Sequence, residues 1–280
     1  MNVGMSLSMS LSWIAPLRAC LSWISPGPSR RLRFAAKLMA LLPATVLPWA
    51  AAQAAPLDLS TVESAAQWLT HYYEAPNPKL VSRAMLVLSK EGVFQKDESA
   101  APTFGFLAGV LAKNKSIAPS LIKDLTALPE GEQKVLVLGI WYSGRPDTKK
   151  LLRGLLATMP QHKENIENLL HSEPLRLTQI PLEQGPWVLD ALWGNFMATG
   201  DAEPVKRVME ALPWVGVESH LPQYAVGNAA RWSLASHAAQ HRRVLALCRE
   251  QVKVQPPEVA NVLKEVIASA EARRTDPAKP

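Results

Sequence analysis

Beyond about residue 60, apolar residues recur at spacings of three, four and seven along most of this chain, and that periodicity limits the fold more than any motif does. Ile117, Leu121, Leu125 and Leu128 make one stripe, and Leu152, Leu155, Leu156 and Met159 another. Val205, Val208, Met209 and Leu212 make a third, and Val259, Val262, Leu263, Val266 and Ile267 close the chain. Such spacing gathers apolar side chains on one face of an α-helix. Sustained strand alternation is not visible. Leu80 to Leu88 and Val135 to Tyr142 are apolar nearly all round, as expected of helices covered on more than one side. The fold class is therefore all-α.

Local punctuation divides the pattern into about twelve helices of roughly 10–16 residues with short joints. They start near residues 61, 78, 102, 117, 130, 146, 161, 186, 202, 220, 239 and 257. Ser60 and Glu63 have the spacing of a capping box, in which each side chain satisfies the other's backbone donor. Pro78, Pro102 and Pro146 fit first helical turns, where proline gives up only an N–H that has no partner. Asp201 and Ser219 each precede a proline by three residues, as a cap precedes a first turn. Ser172 to Gly185 has no clear stripe, and the tail 272–280 is expected to fray.

The stretch Ala191 to Asp201, ALWGNFMATGD, reads as a joint rather than a catalytic loop. Val188, Leu192 and Phe196 share a helical face, with Leu189 and Trp193 on its edge. Gly200 falls just past the last periodic residue, where a left-handed residue ends a helix. Asp201 is then expected to cap the helix whose stripe begins at Val205. A second copy runs from Leu138 through Trp141, Tyr142 and Gly144 to Lys149, Lys150 and Leu156. A third, Trp232 to Leu245, has the aromatic and the basic pair Arg242-Arg243 but no turn glycine.

Leu192, Phe196, Gly200 and Asp201 resemble the leucine, aromatic, glycine and acid of tetratricopeptide-type repeats. Trp193 stands where that motif has glycine, and Val205 and Leu212 where it has alanine, so the chain is similar to TPR-like or Sel1-like helical repeats in a degenerate form. The resemblance implies stacked antiparallel helical hairpins, an α-solenoid or TPR-like superhelix, that binds protein on a concave surface and has no catalysis of its own.

Charge enters through its distribution. The net charge of +6 invites a nucleic-acid reading, yet residues 1–54 hold Arg18, Arg30, Arg31, Arg33 and Lys37 and no acid. Removing those five leaves 25 basic residues against 24 acidic, so the body is near neutral and no nucleic-acid partner is expected. The same residues read as an N-terminal extension and secretory signal: a basic region, the apolar run Leu38 to Leu47, then Ala52-Gln53-Ala54 as the cleavage site. Interrupted by Pro43 and Pro48, that run is shorter than the roughly 20 residues a transmembrane span needs. Cleavage near Ala54 leaves residues 55–271 as one helical-repeat domain, exported to the periplasm or medium. It also leaves Cys248 as the single cysteine, read in its apolar context as a buried small hydrophobe.

Several chemistries were weighed, and no catalytic, cofactor or metal residue is assigned. His237 and His241 lie one turn apart, a spacing that can chelate zinc. Ala238 replaces the glutamate a zinc peptidase needs, and only Cys248 and Glu250 are near in sequence, so the pair reads as surface histidines at a helix joint. His71-Tyr-Tyr-Glu74 suggests acid–base work, but Trp68 and Tyr72 fall on a stripe with Ala65, favouring core packing. Glu130, Glu132, Glu164 and Glu167 sit in polar helix starts and read as caps or solvated charges, and the six tryptophans beyond residue 54 read as packing anchors. The expected function is a periplasmic scaffold or adaptor binding another protein. The alternatives are an immunity-type protein that neutralises one toxin or enzyme, and an α-helical envelope enzyme acting on glycan or lipid.

Overall fold

The computed structural model describes residues 58–275, and its compact helical unit begins at Leu59. The leader reading of residues 1–54 lies outside the described residues. Twelve α-helices follow one another, with no strand among the described residues. In order they are α1 (Val62–Thr70), α2 (Val81–Lys90), α3 (Asp97–Lys113), α4 (Ala118–Leu125), α5 (Lys134–Trp141) and α6 (Thr148–Leu155). The second half comprises α7 (Lys163–Leu170), α8 (Trp187–Thr199), α9 (Ala202–Met209), α10 (Leu221–Gln240), α11 (Arg242–Gln251) and α12 (Pro257–Thr275). Most begin within a few residues of the expected starts. Between α7 and α8, where no stripe is visible, the chain makes only the 3-10 turns Leu177–Gln179 and Leu182–Gln184.

Several local expectations need correction, Pro146 among them, since it lies two residues before α6 rather than in its first turn. The capping box at α1 is formed by Thr61 and Ser64, each side chain bonding the other's backbone N–H, not by Ser60 and Glu63. Pro102 lies inside α3, which begins five residues earlier at Asp97. Proline there leaves the carbonyl four residues back without its helical donor. The N-cap of α10 is His220, not Ser219, and α12 stays helical to Thr275, past the expected tail boundary at 272.

Both glycine joints are as expected. Gly200 adopts φ +65° and its N–H donates to Phe196 O at 2.7 Å, closing α8. Gly144 adopts φ +66° before α6. Asp201 occupies the N-cap position of α9 but makes no capping bond. Its carboxylate instead meets Lys113, at the end of α3, at 2.9 Å. Arg145, beside the other joint, also reaches α3. It is buried, forks onto Asp147 with two bonds of 2.8 Å, and donates to Leu111 O at 3.0 Å. The two joints are thus tied to the same helix end.

That helix is the centre of the core. From Thr103 to Leu111 every residue of α3 is buried. Its Pro102, Gly105 and Gly109 share a face, and α8 presents Ala191, Gly194 and Ala198 at the same spacing. Small residues let the backbones touch. A Cβ at Gly194 would lie 1.9 Å from Pro102 O, one at Gly105 2.0 Å from Ala191 O, and one at Gly109 2.7 Å from Ala198 Cβ. α5 approaches α3 in the same way, a Cβ at Gly139 falling 2.7 Å from Leu107 Cβ. Consecutive helices also pack, α8 on α9, α10 on α11 and α11 on α12. The α3–α8 contact, however, joins helices distant in the chain, which a stack of strictly nearest neighbours does not contain.

Candidate functional site

At the end of α1 the chain passes through His71 into the single 3-10 turn Tyr72–Glu74. So tight a turn sends successive side chains in different directions. Tyr72 goes inward, its ring 5.2 Å from those of Trp68 and Phe106, as core packing requires. His71 and Tyr73 turn instead to the joint between α10 and α11, where His241 ends one helix and begins the next. The His71 and His241 rings are 5.0 Å apart. The Tyr73 hydroxyl lies 3.2 Å from Glu74 Oε1 and 3.3 Å from His241 Nδ1.

The floor beneath them is the stretch Ala191 to Asp201. The His237 ring lies on Trp193 at 4.1 Å, and Phe196 is 4.9 Å from Tyr73 and 5.6 Å from His241. Gly200 closes it: a Cβ there would come within 2.9 Å of the Tyr73 ring. His237 and His241 do sit at a helix joint, but the surface reading is wrong. His241 is wholly buried and His237 only partly exposed. The joint that exposes histidines in an isolated hairpin is covered here by the turn after α1.

Burial sets the protonation. It is the main cause holding His237 down at about 3, with the proximity of His241 adding to it. His241 is held at about 4, again chiefly by burial, then by the charges of His71 and Arg274. Tyr73 is pushed up to about 12 by burial and by the Glu74 carboxylate, which outweigh Arg243. At neutral pH the site therefore holds two neutral imidazoles and a neutral phenol beside a carboxylate. The phenol O–H donates to the carboxylate, so the phenol oxygen is free to accept from His241 Nδ1–H. That tautomer leaves a lone pair on Nε2. This Nε2 is buried without a partner, as are His237 Nδ1 and Trp193 Nε1. Buried polar atoms are satisfied in nearly all native proteins, so three orphans in one cluster mark it as unusual.

The sequence-near candidates for a third ligand take no part. Cys248 is wholly buried, its thiol pushed up to about 12 by desolvation, as a small core residue should be. Glu250 is exposed and faces Lys206 at 4.0 Å. Among the glutamates weighed for lytic chemistry, Glu130 and Glu164 are exposed, but Glu132 corrects its reading as a cap or solvated charge. It is buried, accepts from Ser89 Oγ at 2.5 Å, and its Oε1 has no partner. Of the six tryptophans, Trp141 and Trp193 are buried and Trp68, Trp187 and Trp214 pack on the core, leaving Trp232 exposed. An open surface dent of about 320 Å³ lies between α11 and α12, and a smaller one of about 130 Å³ lies by Leu182 and Trp214. Neither touches the histidine cluster.

Compared with family models, with curated proteins and with solved structures, the chain matches none.

Proposed function

We propose that this chain is an exported all-α scaffold that acts by binding another protein in the periplasm, on a stack of antiparallel helical hairpins of TPR-like type. The observation that carries the reading is the outward face of α10. Leu221 and Trp232 lie eleven residues apart, three turns of helix, and so share that face. Leu221 is 73% exposed and Trp232 38%. Ala225, between them, is exposed as well. A long helix that presents leucine and tryptophan to solvent on one line has the composition of an interface centre, where aromatic side chains carry much of the binding energy. The packing of consecutive helices from α8 to α12 supports the hairpin reading.

The test is affinity capture from periplasmic extract, comparing the wild-type chain with Leu221→Ser and Trp232→Ala. Both positions are exposed, so both variants should keep the wild-type melting temperature. The reading expects a specific partner whose recovery falls in both. Equal recovery by all three proteins, or no partner specific to the wild type, overturns it.

A further inference from the structure

We propose that His71, Glu74 and His241 form a three-ligand site for a divalent transition-metal ion of the zinc class. One ligand atom from each residue lies within 4.8 Å of the other two. Ligands about 2.0–2.1 Å from a tetrahedral zinc stand roughly 3.3 Å apart. Closing the site therefore takes movements of about 1.5 Å at most, within the reach of a side-chain rotation. The pieces are disposed for that. His241 is buried, His71 is half-buried, and Glu74 is exposed with its carboxylate against the Tyr73 hydroxyl.

Three further observations bear on the same site. His71 Nδ1 lies 3.2 Å from Gln67 O, so that nitrogen donates its proton to a carbonyl and Nε2 keeps its lone pair. A backbone carbonyl that fixes the tautomer in this way is the usual second partner of a metal-binding histidine. The Tyr73 hydroxyl already bridges Glu74 and His241, donating to the carboxylate and accepting from His241 Nδ1–H, which holds the two ligand groups side by side. His241 Nε2 is a buried acceptor with no donor, so this ring has coordinating capacity that no protein group uses. Two imidazoles with one carboxylate select zinc, copper or nickel over calcium and magnesium, which prefer oxygen ligands throughout. Three protein ligands leave one position for water or for a group brought by another molecule. The site does not depend on the partner-binding reading and is tested on the isolated chain.

The experiment is isothermal titration of the chelator-stripped full chain with zinc chloride alone, beside His71→Ala, Glu74→Gln and the exposed control His171→Ala. These positions are at least partly exposed, so the variants should fold, which circular dichroism checks. The cobalt form provides a second reading through its visible absorption. Expected are one zinc per wild-type chain, a loss of at least about tenfold in affinity for His71→Ala and Glu74→Gln together with their cobalt absorption, and no change for His171→Ala. The proposal is overturned if the wild type takes up no stoichiometric zinc. It is equally overturned if His71→Ala and Glu74→Gln bind as the wild type does.

Discussion

Replacing Gly194 by alanine puts the α3–α8 contact to a quantitative test, because an identical change elsewhere should have the opposite sign. The new Cβ would stand 1.9 Å from Pro102 O and 2.8 Å from Phe106 N, both backbone atoms of a helix that is buried on all sides. An ordinary contact needs about 3.4 Å, so α8 must withdraw from α3 by roughly 1.5 Å. Withdrawal loosens the neighbouring contacts at Gly105 and Gly109. Overpacking of this kind typically costs about 1–3 kcal/mol and more when backbone must move, whereas alanine gains about 1 kcal/mol over glycine in a helix interior. Because both blocking atoms are backbone, the cost here lies above that range, at about 4 kcal/mol, and the clash should win with a net loss of about 3 kcal/mol. Gly154 in α6 is exposed and a Cβ there meets nothing within 4 Å, so Gly154→Ala should gain about 1 kcal/mol. Urea denaturation followed by circular dichroism measures both. In thermal melts, at about 2–4 °C per kcal/mol for a domain of this size, Gly194→Ala should fall by about 6–12 °C while Gly154→Ala rises by about 2–4 °C. Equal stabilisation of both variants would show that the helices do not touch at Gly194.

Gly200→Val should destabilise by at least about 1–2 kcal/mol, since a β-branched residue meets both the left-handed backbone and the Tyr73 ring; a melting temperature equal to wild type would contradict it. Asp201→Ala should cost only about 0–1 kcal/mol, because its carboxylate makes an exposed ion pair rather than a cap, and the loss should shrink in high salt. Asp190 in α8 is pushed up to about 7 by burial. A raised acid favours folding fully below its ordinary range near 4, and that advantage is lost as pH rises through about 7. Asp190→Asn should therefore flatten the decline in stability between pH 5 and 8, seen by urea melts at both values; an unchanged decline would assign it to other groups. Cys248, buried and with its thiol held protonated, should react with a thiol reagent only on unfolding, and rapid labelling of the native chain would refute that packing.

The sequence by itself determined what depends on neighbours within a turn or two. The 3.6-residue period marks twelve helices, and Gly144 and Gly200 mark two of their ends, because a left-handed residue is chosen by local sterics alone. The cap at Asp201 was legible as a position but not as an interaction, since Lys113 competes for its carboxylate from 88 residues away. Glycines 105, 109 and 194 read from sequence only as weak helix positions. Their role appears when two matching faces of small residues are laid together, and nothing in either helix alone says which partner it has. The histidine cluster follows the same logic. His71-Tyr-Tyr-Glu74 reads in sequence as core packing and His237 to His241 as a pair without a third ligand, and each holds the partner the other lacks, some 168 residues apart. Only the tertiary structure decided that pairing. It turns Tyr72 into the core and Tyr73 onto the Gly200 floor, and a contact across that distance is fixed by how helices pack, not by any spacing along the chain.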